Sequence, residues 1–450
     1  MIDAPKNNRI VNRPRKALLA LIDSSLAALI GWSTGYMFDS FSTLQIIASA
    51  GSLPIVLYIA GMYEEYLSKE PSAVAGQIAL VFLFMSTVIF APFLLKIDGN
   101  LTLSSSLAGL VTVVVALPLW RLVVRSSMSA AVSRTPVLVV GDGRAAERAK
   151  EIIRHSPDHF LESAIESREL ESWINEHEST NQAAINRSAV LVVLATDELP
   201  IPRSLRPVLR KLHDRGFTTT SVVELAENIE QRIPISLVSP DAVEAWLGIR
   251  PAGHEVSLRI KRVVDLLVSC VLAIVLMPPA LVAGLMMKFS SPGPLFYRQL
   301  RVGRGGGLFE IIKFRSMRAD AETSSGAVWA TVNDPRIPPI GRFLRASRLD
   351  EVPQLWNVFR GDMSLVGPRP ERPEFTGELS MHIPHFDLRH SVTPGLTGWA
   401  QVRYPYGASV QESEIKLEYD LYYVRHWSLL LDLRILIKTV SVVLLGSGAR

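Results

Sequence analysis

Long apolar stretches fill the first 125 residues of the chain, and shorter patterned segments follow. Four of these stretches carry almost no charge, at about 17–37, 44–62, 73–95 and 103–124. Each is close to the roughly 20 residues needed to cross about 30 Å of hydrocarbon. The pattern therefore predicts a membrane protein with an N-terminal bundle of four transmembrane helices over residues 17–125.

The charges that flank these stretches predict their orientation. The basic tail of residues 1–16 holds five Lys and Arg residues. Arg121 lies near the end of the fourth stretch, and Arg125 and Arg134 follow it. The connections on the other side carry little positive charge. Because positively charged loops stay in the cytoplasm, we expect the N-terminus and everything after residue 125 to lie on the cytoplasmic side.

Residues 134–250 show short apolar strands alternating with helices. This alternation is typical of a small parallel α/β domain of the Rossmann type. The pattern predicts strands at 136–140, 188–195 and 218–223 and helices at about 143–155 and 204–215.

A glycine turn follows the first predicted strand. Gly141, Gly143 and Ala146 match the dinucleotide fingerprint, with alanine in place of the third glycine. The fingerprint also requires an acidic residue at the end of the second strand. We interpret the charged stretch 160–178 as helical, which leaves that position empty. The match leaves a nucleotide site and a purely structural turn open, and the structural turn is favoured.

A fifth apolar stretch, about 263–289, differs from the others because Pro278 and Pro279 stand at its centre. Proline removes a backbone hydrogen bond and clashes with the preceding turn. The pattern predicts a re-entrant helix that enters and leaves the membrane by the same face, with a full crossing as the alternative. Residues 255–450 carry a net charge of +6 against −2 for the remainder, which suits the anionic cytoplasmic leaflet.

Composition excludes several classes of protein. The chain of 450 residues is 48% hydrophobic, with a mean hydropathy of +0.24, which is too apolar for an ordinary soluble domain. Its single cysteine, Cys270, cannot form an intrachain disulfide. The net charge of +4 is mild, so nothing indicates binding to nucleic acid.

The segment after residue 290 is rich in arginine and contains two adjacent carboxylates, Asp350 and Glu351, just before Pro353. These acids admit two interpretations. They either begin a helix and complement its dipole, or they form a phosphoryl-transfer site in which one carboxylate holds Mg²⁺ and the other attacks phosphorus. Basic residues that would bind phosphate in such a site are Lys313 and Arg315, which we expect on one face of a strand, and Arg345, Arg348 and Arg369.

The order of the motifs resembles a known family. Lys261-Arg-x-x-Asp265, the proline-broken stretch, Ser291-Pro-Gly-Pro294 and Lys313-Phe-Arg-Ser-Met317 are followed by LDEVPQLWNV at 349–358, MSLVGPRP at 363–370 and PGLTGWAQV at 394–402. The series is similar to the monotopic polyprenyl-phosphate phosphoglycosyl transferases, the bacterial sugar transferase family. The resemblance spans about 256–450, and the layout resembles the long members that begin exopolysaccharide, capsule or O-antigen synthesis.

The resemblance implies a reaction and roles for named residues. The enzyme would transfer a sugar-1-phosphate from a UDP-sugar to polyprenyl phosphate and release UMP, with Mg²⁺ as cofactor. Asp350 would be the nucleophile that forms an aspartyl-phosphosugar, Glu351 would support it and the metal, and Arg345 and Arg369 would bind phosphate. The location would be the bacterial inner membrane, with a mainly α catalytic domain over 255–450 on the cytoplasmic face.

Further expectations concern partners, nucleotide contacts and the C-terminus. A homo-oligomer and downstream glycosyltransferases are candidate partners beside the lipid bilayer. Trp399 and Gln401 are candidate nucleotide contacts. We expect the apolar stretch 429–445 to lie along the membrane interface, because it carries charged residues. The chain departs from the family at the hairpin, where Met277 replaces the usual serine before Pro278.

Two other functions remain open. The first is a non-catalytic membrane scaffold or regulator of glycan assembly, against which the intact Asp350-Glu351 pair counts. The second is a membrane-anchored nucleotide-sugar dehydratase or epimerase, which requires a complete dinucleotide site and a Tyr-x-x-x-Lys sequence that we do not find.

Overall fold

A computed structural model describes the C-terminal two thirds of the chain with gaps. The described residues are 135–156, 159–166, 168–170, 172–173, 190–195, 206–214, 217–238, 254–318, 321, 334, 336–404 and 409–444. All of them belong to one compact unit, Ser133–Arg450. The basic tail and the four predicted transmembrane helices lie outside the described residues, so they and their orientation stay predictions.

The first part of this unit is a parallel α/β domain. Its sheet has the order β2-β1-β3-β4 and all three pairings are parallel. The two faces of β1 differ in their partners: Val137 and Val139 pack with α1 and α3, whereas Leu138 and Val140 pack with Leu212 of α2. The elements are β1 (Thr135–Gly141), α1 (Gly143–Arg154), β2 (His159–Ile165), β3 (Leu191–Ala195), α2 (Arg206–Asp214), β4 (Thr218–Ser221) and α3 (Val222–Ile229). The predicted α/β character of this part is confirmed, and the predicted bounds of the domain, 134–250, stay a prediction.

Strand β2 corrects the first part of the helix predicted at 160–178, whereas residues 170, 172 and 173 are helical as predicted. Its side chains alternate between half-buried and exposed, because β2 is an edge strand with one solvated face, and its charged residue Glu162 lies on that face. Glu166 follows the strand directly, so an acid does stand at the position that the fingerprint requires. Glu166 pairs with Arg168 at 2.6 Å.

Packing alone explains the first glycine of the turn. A Cβ atom on Gly141 would lie 1.9 Å from the carbonyl oxygen of Ala195 on the neighbouring strand, and the φ of Gly141 is +134°. No other residue fits there, whether or not a ligand binds. Nucleotide binding by this domain stays a prediction.

The long helix α4 (His254–Ser290) joins the two parts and runs through Pro278 and Pro279 without a dividing loop. Its segment Glu255–Ser290 is the one helix among the described residues that is long and apolar enough to cross a membrane. The prolines remove the N–H donors for the carbonyls of Ile274 and Val275, which is a cause of bending. The re-entrant path stays a prediction.

An apolar stripe runs along the exposed side of α4 for its whole length. Its members recur every three or four residues, as one helical face requires. On the opposite side Ala280, Ala283 and Met287 are buried, and Gly284 lies so close to the ring of Phe314 that a Cβ would be 2.7 Å from it. The stripe consists of Val256, Ile260, Val263, Val264, Leu267, Val271, Ile274, Val275, Leu281, Val282, Leu285, Met286 and Phe289.

The second part of the unit is mainly helical, with two small two-stranded sheets. One sheet is an antiparallel hairpin and the other pairs β7 with β8 in parallel. The elements are β5 (Phe296–Val302), β6 (Leu308–Phe314), α5 (Pro339–Ala346), a 3₁₀ turn (Leu349–Gln354), α6 (Leu355–Arg360), β7 (Ser364–Val366), α7 (Pro373–His382), a second 3₁₀ turn (Phe386–Ser391), β8 (Gly395–Thr397), α8 (Trp399–Arg403), α9 (Val410–His426) and α10 (Leu429–Leu444).

Charged residues near the start of α4 attach it to this part. Lys261 donates to the carbonyl of Val366 and pairs with Asp432 of α10 at 2.6 Å. Arg262 donates to two carbonyls at the end of α6. Asp265 accepts a hydrogen bond from the hydroxyl of Ser364 at 2.7 Å. The Lys261-Arg-x-x-Asp265 motif therefore attaches the start of α4 to the second part of the unit.

Helix α10 turns its charged residues inward. Besides the pair with Lys261, Asp432 accepts hydrogen bonds from Tyr423 and Trp427, while Arg434 and Lys438 lie over the ring of Trp399. Leu430, Leu433, Val440 and Val443 are exposed. This arrangement suits the predicted position along a membrane interface.

The two parts meet along an interdomain seam, formed by residues 227–235 and residues of α8 and α9. Ile233 and Ile235 pack against Leu417 and Leu421 in one apolar cluster. Around this cluster, three carboxylates are each paired with a base: Glu227 with Arg425 and His426, Glu230 with Arg148 and Arg232, and Glu418 with Arg232.

Candidate active site

The floor of the candidate site is one face of the β5–β6 hairpin. Tyr297, Gln299 and Arg301 lie opposite Lys313, Ile311 and Phe309 in the register of the hairpin. Residues directly opposite each other in an antiparallel pair share a face, so Arg301 and Lys313 project to the same side. Asn357, fully buried on α6, fixes this hairpin by accepting from the N–H of Ile312 and donating to the carbonyl of Glu310.

The 3₁₀ turn Leu349–Gln354 carries the acid pair, Asp350 and Glu351, over this floor. Arg348, just before the turn, has a φ of 57°. This left-handed conformation is uncommon for a residue other than glycine, and such residues cluster at functional sites. Pro353 lies within the turn, and Val352 and Leu355 anchor it in the apolar core. The two neighbouring carboxylates are thereby held on a short and rigid segment.

The environment of the acid pair separates the two carboxylates electrostatically. Burial, and then the charge of Glu351, raise the pKa of Asp350 to about 6 against the opposing effect of Lys313, Arg345 and Arg348. Burial also acts to raise the pKa of Glu351, but Arg369, Arg348 and Lys313 hold that pKa down at about 2. Glu351 therefore keeps its charge over a far wider pH range than Asp350.

The two carboxylates also differ in their hydrogen bonds. Arg369 donates to Oε1 of Glu351 at 2.8 Å, and Arg348 lies 3.7 Å from the same oxygen. Oδ1 of Asp350 is buried and has no hydrogen-bond partner. A buried carboxylate oxygen normally has one, so this oxygen is available to a ligand or to a reacting atom.

Lys313 completes the set of cations. Burial, and then the charges of Arg301 and Arg369, lower its pKa to about 8. Lys313, Arg345, Arg348 and Arg369, all predicted from the sequence as phosphate ligands, thus act together on the acid pair. Arg301 joins this set, although the sequence analysis does not name it. The alternation of side chains along β5 could have identified it, because it places Arg301 on the same face as Lys313.

Arg315 has a different role from the predicted one. Strand β6 ends at Phe314, so Arg315 does not continue the strand face of Lys313. Its side chain is buried, and its guanidinium donates to the carbonyls of Ser291 and Pro292. Arg315 therefore fixes the chain where it leaves α4, and both of its terminal nitrogens are already engaged.

Trp399 also lies elsewhere than predicted. Its side chain is 1% exposed, its indole N–H donates to the carbonyl of Gln231 at 3.0 Å, and its ring stacks on Tyr422. This position is in the seam, so the ring is already used in packing. Gln401 is half-buried, and its side-chain oxygen has no hydrogen-bond partner; its contact with a nucleotide stays a prediction.

Comparison with known proteins matches this region. The profile of the family "Bacterial sugar transferase" aligns with residues 256–446. A UDP-glucose:undecaprenyl-phosphate glucose-1-phosphate transferase of Caulobacter vibrioides is 41% identical over 209 residues, which are 45% of this chain and 78% of the relative. The chain belongs to the bacterial sugar transferase family.

Two longer relatives extend the comparison. A UDP-N-acetylgalactosamine-undecaprenyl-phosphate N-acetylgalactosaminephosphotransferase of Aeromonas hydrophila is 45% identical over 192 residues, 42% of this chain and 45% of the relative. A glucose-1-phosphate transferase of Xanthomonas campestris is 44% identical over 186 residues, 41% of this chain and 38% of the relative. The matched region thus spans less than half of these relatives. The part aligned with the family profile, 256–446, includes the acid pair and all five cations around it.

Proposed function

We propose that this bacterial sugar transferase transfers a sugar-1-phosphate from a UDP-sugar to polyprenyl phosphate and releases UMP. The observation that carries the proposal is the unpartnered, buried Oδ1 of Asp350, placed beside a second carboxylate that Arg369 holds. The names of the relatives from Caulobacter and Aeromonas describe the same type of transfer to undecaprenyl phosphate.

The chemistry follows from the unequal acids. The ionised Oδ1 of Asp350 attacks the β-phosphorus of the UDP-sugar, and the bond from that phosphorus to the bridging oxygen breaks, so that UMP leaves with this oxygen. An oxygen of polyprenyl phosphate then attacks the phosphorus of the aspartyl-phosphosugar, which frees Asp350 and gives polyprenyl-diphosphate-sugar. Carboxylates are established nucleophiles of this kind.

The cations stabilise the charge that develops on the leaving UMP. Arg345, Arg348, Arg369 and Lys313 surround the acid pair, and arginine binds phosphate oxygens in pairs. Preorganised donors of this kind supply much of the stabilisation in phosphoryl transfer. Glu351 keeps Arg369 oriented before the substrate arrives.

The acid pair also suits Mg²⁺. Among the described residues no group of three or more His, Cys, Asp or Glu side chains could hold a metal. Mg²⁺ commonly needs only one or two protein carboxylates together with substrate phosphates and water. Asp350 and Glu351 would supply these oxygens, and the ion would neutralise diphosphate charge.

We further propose that α4 enters the inner membrane as a re-entrant helix on the cytoplasmic face. Its apolar stripe is exposed along both halves of the helix, while residues of both halves, Asp265 and Met287, contact the same catalytic part. Such a helix would place the acid pair at the depth where a lipid presents its phosphate.

The reaction is tested by incubating the full-length chain in nanodiscs with undecaprenyl phosphate, Mg²⁺ and a panel that includes UDP-glucose and UDP-N-acetylgalactosamine. We expect UMP release with at least one donor and its loss in Asp350→Asn. Asp387→Asn, which changes an exposed acid, should behave as the unaltered chain. Absence of UMP with every donor, or undiminished release from Asp350→Asn, contradicts the proposal.

The membrane path is tested with cysteines at positions 257 and 300 in a chain that carries Cys270→Ser. A re-entrant helix leaves both positions in the cytoplasm, so an impermeant thiol reagent added to intact cells should label neither, and it should label both after permeabilisation. Labelling of position 300 alone in intact cells means that α4 crosses the membrane.

A further inference from the structure

Backbone hydrogen bonds fix Gly367 and Pro368, the first two residues of the loop that carries Arg369. The N–H of Gly367 donates to the carbonyl of Thr397 at 2.9 Å, and the N–H of Gly395 donates to the carbonyl of Pro368 at 2.9 Å. Both partners lie in or beside β8. The start of this loop, residues 367–371, is therefore attached to the strand next to it.

The next three residues are fixed in the same way, but two of the donors are arginine side chains. Each successive carbonyl accepts one hydrogen bond, one from Arg389 and two from residues of β5. Arg389 donates to the carbonyl of Arg369 at 3.0 Å, Arg301 to that of Pro370 at 2.9 Å, and the N–H of Val302 to that of Glu371 at 3.0 Å. Every residue of the loop is thus held by one backbone hydrogen bond.

Arg389 is held in turn by a buried acid. Its guanidinium lies 2.7 Å from Oδ2 of Asp420 on α9, and both side chains are nearly inaccessible. Glu371 lies 3.8 Å from Arg389, and the ring of Phe386 lies beneath the guanidinium. A buried ion pair contributes little net stability compared with apolar residues of similar volume, so stability alone is a weak reason for this pair.

We propose that Arg389, held by Asp420, is a positioning residue that sets Arg369 in register with the acid pair. Arg389 reaches the backbone of Arg369, and the side chain of Arg369 reaches Oε1 of Glu351 at 2.8 Å. Arg389 itself contacts neither Asp350 nor Glu351. The proposal rests on the proposed transfer reaction, in which Arg369 binds a substrate phosphate.

The effect of such positioning is on catalysis. A displacement of about 1 Å in a group that contacts the reacting atoms costs on the order of 100-fold in rate. Arg389→Gln removes the charge that Asp420 holds and leaves the carbonyl of Arg369 free to move. We expect kcat/KM for the UDP-sugar to fall about 100-fold in this variant, with most of the loss in kcat, and we expect Arg389→Lys to restore at least a tenth of the unaltered activity.

A double-mutant cycle separates positioning from general stability. If Arg389 acts through Arg369, then Arg389→Gln has little further effect once Arg369→Ala is present, less than about threefold. Multiplication of the two losses in the double variant would overturn the proposal. The melting temperature is measured for the unaltered chain, both single variants and the double variant. The change in melting temperature caused by Arg389→Gln should be the same with and without Arg369→Ala.

Glu418→Gln is the matched control. Glu418 is a buried acid two positions before Asp420 on the same helix, and it pairs with Arg232 in the seam at 3.1 Å. Its loss should lower kcat/KM equally, by less than about threefold, with and without Arg369. If Glu418→Gln shows the same dependence on Arg369 as Arg389→Gln, the effect belongs to the stability of α9 and the proposal fails.

Two further outcomes are decided by additional measurements. If Arg389→Gln does not fold, Asp420→Asn takes its place in the cycle with the same expectation. If the unaltered chain releases no UMP, the proposed function has failed, and positioning is then measured as affinity for inorganic pyrophosphate by calorimetry. Arg389→Gln should weaken that affinity only where Arg369 is present, and equal weakening in both backgrounds overturns the proposal.

Discussion

The acid pair and the interdomain seam are both crowded with arginines and carboxylates, yet they use them differently. In the seam Glu227, Glu230 and Glu418 each have a basic partner within 3.1 Å. At the site Oδ1 of Asp350 has no partner, although Lys313, Arg345 and Arg348 act on this carboxylate. In the seam the charges are used to pair the two parts of the fold, whereas the acid pair keeps one carboxylate oxygen without a hydrogen-bond partner.

Loss of an arginine should therefore mainly lower activity at the site and mainly lower stability in the seam. We expect Arg369→Ala to lower kcat/KM for UMP release by about 10²- to 10³-fold, because it removes a donor to the developing charge and the partner of Glu351. Stability should change little, since Arg369 is partly exposed.

The control for this prediction is Arg425→Ala in the seam, where Arg425 pairs with the buried Glu227. That change should lower the melting temperature and leave kcat/KM within about threefold of the unaltered value. Steady-state UMP release and thermal unfolding are measured for both variants. Equal kinetic losses would mean that the two regions do not differ in the way described.

The pH dependence of the site is the next largest effect. The nucleophile must be ionised, so kcat/KM should rise with pH until it passes the pKa of Asp350, about 6. It should fall again above the pKa of Lys313, about 8, because Lys313 then loses the charge that attracts phosphate. Each limb approaches a tenfold change per pH unit. A profile that is flat between pH 5 and 7 contradicts an ionised Asp350 as nucleophile.

The seam and the site also differ in how far their residues could be predicted. Asp350, Glu351, Arg345 and Arg369 were identified because they occur in short local motifs, and β1 and β3 because their apolar runs are continuous. Strand β2 was missed because one of its faces is half-buried and the other is exposed, so the charges of the stretch 160–178 suggested a helix.

Residues that act across long sequence separations could not be predicted. Arg301, Arg389 and Asp420 meet around one loop, although more than 80 residues separate the first from the second. Trp399 belongs to a motif of the family, but its contact with Gln231 depends on how the two parts dock. Sequence pattern shows which residues are chemically suited to a site, and tertiary packing decides which of them are used up by the fold.

A smaller effect tests how the charge of Glu351 acts on Asp350. The charge of Glu351 raises the pKa of Asp350, so Glu351→Gln should move the acidic limb of the kcat/KM profile to lower pH. We expect a shift of about one unit together with a loss of rate, because Arg369 loses its partner. The measurement is the pH profile of UMP release by the variant. An acidic limb that moves to higher pH contradicts the assignment of this limb to Asp350.

The smallest effect is expected in the seam itself, at Glu418, and its sign can be derived. Burial raises the pKa of Glu418 from 4.5 to about 7 in the folded chain. The folded state thus binds this proton more tightly than the unfolded state, so the contribution of Glu418 to stability is largest below pH 4.5 and decreases as the pH rises to 7.

Glutamine imitates the protonated acid and lacks this decrease. Relative to the unaltered chain, Glu418→Gln should therefore gain stability between pH 5 and pH 8, by on the order of 1–3 kcal/mol, with UMP release unchanged within about threefold. Thermal unfolding of both chains at the two pH values measures the difference, and a relative loss of stability toward pH 8 would show that the ion pair with Arg232 outweighs the burial of the charge.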